Sequence, residues 1–368
     1  MGEENGTERR LAFGATVSRR RLIRGLRALR RACGKGASVS LVGDSERLLI
    51  LSQGEGRGLR LELDSPTGSW EPCACEAGVL LRVLGEMEAE QIEIFPRERL
   101  VLGDDGALDG MIVEVALAPV LSEASYDCGE PVRPGEGVSF SEEDWDALDW
   151  VACACSRDCA SPHLGVVYVE RGRARASDTY AIHSAPAGSL AGSVRLPGAL
   201  LRDLRRWLRS GFLAVERDGR VVVTAGPMTV TDCLPDPAPK VPDQMDRLLN
   251  LSSANPVWRT RVEDAWRLFQ LARVADALEA PADWYVEAHV ILGPEGARAE
   301  MSGRVRAYDP RLPAFPAPEW RLRANYLARA LSGLAEDVDF YGSEDPLEAV
   351  RLTDGERSAL VMPVMAAG

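Results

Sequence analysis

The sequence predicts an α+β chain of three similar units, each packing two helices against curved antiparallel sheets. Three observations carry this reading. An order of amphipathic helix, strands, second amphipathic helix and further strands recurs at a spacing of about 120 residues. Turn signals such as Asp218-Gly219 stand between runs of alternating apolar residues, as hairpins require. Linker-like stretches rich in proline, glycine and serine at 123–137 and 252–256 divide the chain into thirds. The expected organisation is a disordered tail at 1–10, then units at 11–128, 129–251 and 252–368. At 368 residues the chain exceeds what one ordinary core supports, which agrees with several domains.

The first helix of each unit is expected at 18–33, 142–156 and 262–277, the second at 75–86, 197–210 and 324–336. In the helix at 18–33, Leu22, Leu26, Leu29 and Cys33 recur at i, i+4, i+7 and i+11 and so line one face. Each second helix precedes a strand, a turn and a strand, namely 91–95 with 99–102, 212–216 with 221–224, and 338–341 with 349–352. The helix at 142–156 opens with Glu142, Glu143, Asp144 and Asp146, acids that the helix dipole favours at an N-terminus.

Charge is distributed unevenly. The formal net charge is −13, which taken as a sum argues against nucleic acid. Yet residues 18–35 hold seven arginines and a lysine with no acid, and Arg20, Arg24, Arg27 and Arg31 share one helical face. In the helix at 197–210, Leu200, Leu201, Leu204 and Leu208 are expected inward, with Arg202, Arg205, Arg206 and Arg209 outward. Arg267, Arg273, Arg323 and Arg329 add positive charge in the last third. Arginine rows facing phosphates gain counterion release and carry no base information, which permits sliding.

Other chemistries find little support. No apolar run approaches membrane-spanning length, and 1–10 has no apolar core of a secretory signal. The eight cysteines, among them Cys73, Cys75, Cys153, Cys155 and Cys159, lack paired metal-ligand spacing, and only three histidines accompany them. Reduced thiols in a cytoplasmic protein are expected, with Cys153 and Cys155 as small hydrophobes inside a helix. No phosphate-binding loop, His-Glu-x-x-His or Gly-x-Ser-x-Gly pattern occurs, and Asp178 reads as a turn-capping residue. The sequence calls for no cofactor and no catalytic residue.

Several short segments, in matching order, resemble bacterial DNA sliding clamps, the beta subunit of DNA polymerase III. Leu164-Gly165-Val166-Val167-Tyr168-Val169-Glu170 is similar to that family's strand leading into a turn. Ala176-Ser177-Asp178-Thr179-Tyr180-Ala181-Ile182 resembles its A-T-D-G-H-R-L segment. Leu196-Pro197 opens the arginine helix as its V-P does, and Val241-Pro242-Asp243 resembles its F-P-D. Asn325-Tyr326-Leu327-Ala328-Arg329-Ala330-Leu331 resembles its N-x-x-Y-L-x-x-A-L helix with the asparagine displaced. Asp345-Pro346-Leu347 and Val361-Met362-Pro363-Val364 resemble its S-P strand start and its terminal V-M-P-M. The match covers the last two thirds well and the first only in outline.

The resemblance implies a non-catalytic processivity factor. Two chains would close head to tail as a homodimer, pairing edge strands of the first and third thirds, with duplex DNA inside and the arginines above facing it. An apolar groove would dock a linear motif of DNA polymerase, clamp loader and repair proteins. Carried over by position, it would use Leu164, Ser177, Thr179, Ile182, Pro242, Leu248, Pro346, Leu360, Met362, Pro363 and Val364. Thr179 and Ala181 replace the family's glycine and arginine, so groove shape is expected to change and polar anchoring to weaken. These departures leave open a paralogue serving repair or a mobile element, or a nucleic-acid-processing protein without ring closure.

Overall fold

The computed structural model describes residues 14–364 apart from 45, 55, 66–69, 97–99, 105–111, 118–128, 158–159, 191, 237–239, 251–255, 279–286, 302–303, 316–318, 335–336, 344 and 346. The tail expected at 1–10 and parts of both linkers lie outside the described residues.

One element order occurs three times among the described residues. The first run is β1 (Ala15–Ser18), α1 (Arg19–Cys33), β2 (Ser38–Asp44), β3 (Arg47–Gly54), β4 (Arg57–Asp64), β5 (Trp70–Glu76), α2 (Ala77–Glu86), β6 (Gln91–Pro96), β7 (Leu100–Asp104) and β8 (Ile112–Val115). The second is β9 (Val138–Phe140), α3 (Asp144–Ala152), β10 (Val166–Glu170), β11 (Arg173–Ser177), β12 (Ala181–Pro186), β13 (Ser193–Pro197), α4 (Gly198–Asp203), α5 (Arg205–Leu208), β14 (Phe212–Arg217), β15 (Arg220–Ala225) and β16 (Met228–Cys233). After α6 (Lys240–Asn250) the third is β17 (Trp258–Thr260), α7 (Val262–Leu278), β18 (Ala288–Gly293), β19 (Gly296–Met301), β20 (Arg304–Tyr308), β21 (Trp320–Arg323), α8 (Ala324–Ser332), β22 (Val338–Tyr341), β23 (Val350–Thr353) and β24 (Ser358–Val361).

Sheet topology follows the repeat. The opening strand of each run lies beside the run's last three, and the middle four take the order fourth, first, second, third. Two joins then build eight-stranded antiparallel sheets. β4 pairs with β16 through Leu61 opposite Met228, and β12 pairs with β24 through Ile182 opposite Leu360. Two four-stranded sheets remain, β1-β6-β7-β8 and β20-β19-β18-β21. Their outer strands β8 and β20 hold the positions that β16 and β4 occupy in a join.

The chain forms two compact units, one of residues up to Ser139 with Leu200–Leu234, the other of Phe140–Ala199 with Pro235 onward. In the first, Leu22, Leu26 and Leu29 of α1 are wholly buried, each worth about 1.5–3 kcal/mol of transfer free energy. Gly25 lets the helix lie on β4, since a Cβ there would stand 2.1 Å from Leu61 Cδ2. Arg19 turns inward, its guanidinium donating to the carbonyls of Leu84 and Met87 and so tying α1 to the end of α2. In the second unit, Trp145, Trp320, Phe315 and Phe340 are almost wholly buried and anchor the packing of helices on sheet.

The structure departs from the expected elements at several places, and the helix expected at 324–336 ends at Ser332. Cys75 lies within β5, which runs to Glu76, rather than opening a helix, because β2 pairs with β5 through Val39 opposite Cys75. The helix expected at 142–156 ends at Ala152, and Cys153, Ala154 and Cys155 continue in i→i+3 hydrogen bonds. The helix expected at 197–210 divides at Leu204, whose φ and ψ are −101° and 9°, beside an Asp203 engaged by Arg57. Finally α6 is a full helix where the sequence showed only the end of a unit. Pro242 stands in its first turn, where the missing amide costs no hydrogen bond.

Candidate functional site

Two features gather the residues singled out from sequence, one in each unit. In the first unit, α1 exposes Arg20, Arg24, Arg27 and Arg31, and α4 with α5 and the residue after it exposes Arg202, Arg205, Arg206 and Arg209. Leu200, Leu201, Leu204 and Leu208 are buried beneath, as their periodicity predicts. The two rows meet. Arg24 Nη2 donates to the Arg206 carbonyl at 3.0 Å, and its guanidinium lies 4.7 Å from the Trp207 ring centroid.

Between them runs a cleft of about 400 Å³ lined by Arg19, Arg20, Arg24, Arg27, Arg31 and Arg206, with Asp203 as its one acid. That acid is already committed. Arg57 holds it at 2.6 Å and reaches Asp232 at 2.8 Å, so α4 is fixed to β4 and β16 by a largely buried triad. Burial raises the Asp232 pKa while Arg57 lowers it, and burial dominates. The cleft therefore presents guanidinium groups with little competing negative charge, a surface suited to phosphates.

In the second unit the turn after β11 is built by Asp178, whose Oδ1 accepts the amides of Tyr180 at 3.1 Å and Ala181 at 3.0 Å. This is the capping role expected from the sequence. Thr179 is exposed with a φ of +80°, a left-handed conformation that β-branched residues rarely adopt. Glycine would adopt this conformation freely, whereas threonine holds it under strain.

The end of the chain closes over this turn. Met362 donates its amide to the Tyr180 carbonyl at 2.9 Å, Pro363 bridges to Leu322, and Val364 donates to the Arg321 carbonyl at 2.9 Å. Ile182 and Leu360, paired across β12 and β24, are buried, as is Ser177, so they form the floor rather than the lining. Met362 is exposed at the rim, and Leu248 is exposed on α6. Pro242 is buried on the same helix, which Arg175 ties to β11 through Asp246 at 2.5 Å and Arg351 ties to β23 through the Leu249 carbonyl. Pro346 lies outside the described residues.

Leu164, half-buried in a 3₁₀ turn at Pro162–Gly165, shares with Thr179 a cleft of about 440 Å³. Of the remaining lining, Arg157 was passed over in the sequence, whereas Tyr180, Asn325 and Tyr326 were named only within segments carrying the resemblance and were not assigned to the groove. Arg329, grouped above with the DNA-facing arginines, lines this cleft as well. Burial and the Asp178 carboxylate push Tyr326 up to about 12, so its hydroxyl stays protonated beside that carboxylate. A signal for this wall was present in Tyr326 and Arg329, which stand three residues apart on α8.

Arg267 is half-buried and faces Asp309 at 3.8 Å, whereas Arg273 is exposed beside Phe269. Next to them Trp266 is 60% exposed on α7, a residue the sequence reading passed over. Among the described residues no cluster of three or more metal-ligating side chains occurs, and no helix is long and apolar enough to cross a membrane.

Comparison with solved structures places this architecture. A DNA polymerase sliding clamp from Caulobacter crescentus matches with a TM-score of 0.75 at 16% identity, over 96% of this chain and 100% of that one. The beta subunit from DNA polymerase of Streptococcus pyogenes matches at 0.74 and 13% identity, with the same coverage of 96% and 100%. The chain has the bacterial sliding-clamp fold. The Helicobacter pylori beta clamp, solved bound to a DNA ligase peptide, shares this clamp fold at a TM-score of 0.70 and 14% identity, again over 96% and 100%. No protein-family model and no curated protein matches the chain.

Proposed function

We propose that this chain is a DNA sliding clamp, a non-catalytic processivity factor of the cytoplasm. Two copies close head to tail around duplex DNA and tether polymerase, clamp loader and other motif-bearing partners through the groove of the second unit. In this reading the repeats are clamp domains at 11–128, 129–251 and 252–368.

The observation that carries the reading is the pairing rule of the repeat. Twice along the chain, the third of four middle strands in one run pairs with the last strand of the next, β4 with β16 and β12 with β24. The third such strand, β20, and the unmatched last strand, β8, are left for each other across two chains. Such a contact is heterologous and closes when the rotation per repeat divides a full turn. It also removes two open sheet edges. Ile112 on β8 and Tyr308 on β20 are 61% and 70% exposed, as residues awaiting a partner edge would be. The arginine cleft supplies sequence-independent contact with phosphates.

The test is topological. Protein incubated with nicked circular DNA and washed in high salt should stay with the circle and leave once the circle is cut by a restriction enzyme. Equal loss from circular and linear DNA would reject encirclement.

A further inference from the structure

Trp266 is 60% exposed on α7 and has no part in the function proposed above. It does not stand alone. Val262, Trp266, Gln270 and Val274, all exposed, recur at i, i+4, i+8 and i+12 and form one stripe along the helix. An open stripe with three large apolar side chains calls for a partner.

The groups around the indole define that partner's chemistry. The Phe269 ring lies 5.2 Å from that of Trp266, inclined by 42°, and Arg273 stands 5.9 Å from the Phe269 centroid. The acids of α7 stand at its ends, Glu263 and Asp264 in the first turn and Asp276 in the last. An aromatic platform edged by an exposed guanidinium suits flat π-faces strung along an anionic chain.

The internal repeat points the same way. Both α1 and α7 open their runs, and their buried positions correspond: Leu22, Gly25, Ala28, Leu29 and Ala32 match Ala265, Leu268, Leu271, Ala272 and Ala275. Trp266 then falls at the place of Ile23, which lines the arginine cleft of the first unit. Arg24 and Arg30 correspond to Arg267 and Arg273, whereas Arg20, Arg27 and Arg31 give way to Glu263, Gln270 and Val274. The face that offers phosphate contacts on α1 therefore trades charge for apolar and aromatic surface on α7.

We propose that Trp266 stacks on unpaired bases of DNA, with Arg273 beside it meeting the adjoining backbone. The inference rests on the DNA-encircling reading above and adds to it a preference for single-stranded stretches. Bases inside a duplex are closed to an indole by their own stacking, so an unpaired stretch is what this platform can hold.

Two fluorescein-labelled strands of equal length and charge test it, an oligothymidylate and an abasic strand, titrated against the full chain by fluorescence anisotropy. The thymidylate should bind about tenfold more tightly. In Trp266→Ala, and in Trp266→Leu, which keeps an apolar side chain without a π-face, that preference should fall below about twofold. Because the indole is mostly exposed, neither replacement disturbs the buried face of α7. Arg27→Gln with Arg31→Gln should weaken both strands alike, since that row meets phosphates. Equal binding of both strands, weakened by the arginine changes, overturns base stacking and leaves phosphate contact intact. Binding of neither strand overturns the DNA reading and this inference together. A thymidylate preference that survives Trp266→Leu assigns it to another contact and also overturns the proposal. Loss of self-association in Trp266→Ala, read by sedimentation, would make the stripe a contact between chains and overturn it as well.

Discussion

Trp150 lies on His183, ring centroids 4.4 Å apart and planes inclined by 20°, while the Trp150 carbonyl holds His183 Nδ1 at 3.0 Å. A carbonyl only accepts, so Nδ1 carries the proton and Nε2 is a bare acceptor, buried and without a partner. Trp150 Nε1 in turn donates to the Arg329 carbonyl at 2.9 Å, which joins α3 and β12 to α8. One aromatic stack therefore holds together three elements beneath the groove.

This arrangement fixes a pH dependence. Burial, opposed in part by the Trp150 hydrogen bond, lowers the His183 pKa from its ordinary 6.5 to about 4. Between those values the unfolded chain binds a proton that the native chain refuses. Stability should accordingly fall as pH drops from about 6.5 toward 4, by up to about 1.4 kcal/mol per unit. Urea unfolding of wild type and His183→Phe at neutral pH and near pH 5 checks this. The variant should lose less stability on acidification, and parallel losses would remove His183 as the cause.

The Arg57 triad should be costly to break. Its guanidinium is 11% exposed and serves Asp232, 10% exposed, and Asp203, 35% exposed. Arg57→Ala leaves a buried carboxylate unpaired and should destabilise by about 3–5 kcal/mol. Asp203→Asn, at the more exposed partner, should cost about 1 kcal/mol or less. Denaturant midpoints of the two variants give the comparison.

Thr179 should be improvable for stability. Its φ of +80° suits glycine, and Thr179→Gly removes a left-handed strain of about 1–2 kcal/mol against a smaller entropic loss from added unfolded-state freedom. The expected outcome is a small rise in melting temperature. A fall would mean that the hydroxyl or methyl group makes a contact outweighing the strain.

The proposed ring closure through β8 and β20 makes Ile112 and Tyr308 the exposed residues to alter. Ile112→Asp places a charge on the surface that the proposed closure would bury and should convert such a dimer to a monomer with an unchanged unfolding profile. Sedimentation equilibrium reads the mass. An unaltered dimer would move the interface elsewhere.

Packing of α1 on β4 gives the remaining prediction. Gly25→Val sets side-chain atoms where Leu61 already fills the space, and overpacking of this kind costs about 1–3 kcal/mol. Leu61→Ala in the same chain should recover part of that loss, and a double-mutant cycle on urea midpoints measures the coupling.

Much of the fold was legible because its signals are local. The leucine rows at Leu22, Leu26 and Leu29, and at Leu200, Leu204 and Leu208, are periodic within a few turns, and all are buried. Helix ends were less legible. At Cys75 strand pairing with β2 overrides a helical pattern, and beyond Ala152 the chain tightens into i→i+3 bonds. No helix was expected at α6, where Pro242 entered only through the resemblance, although the first turn of a helix accepts proline.

By itself the sequence determined three repeating runs, the burial of their helix faces and the exposure of two arginine rows, since each follows from periodicity over short distances. Tertiary structure alone decided that Arg24 meets Arg206 across 182 residues of chain, and that Arg329 lines a cleft with Leu164 and Thr179. It likewise decided that the Asp178 turn holds Thr179 at positive φ. Periodicity tells a side chain which way to face, but the neighbour it meets there depends on which distant strands pair, and that is set by burial of the whole core.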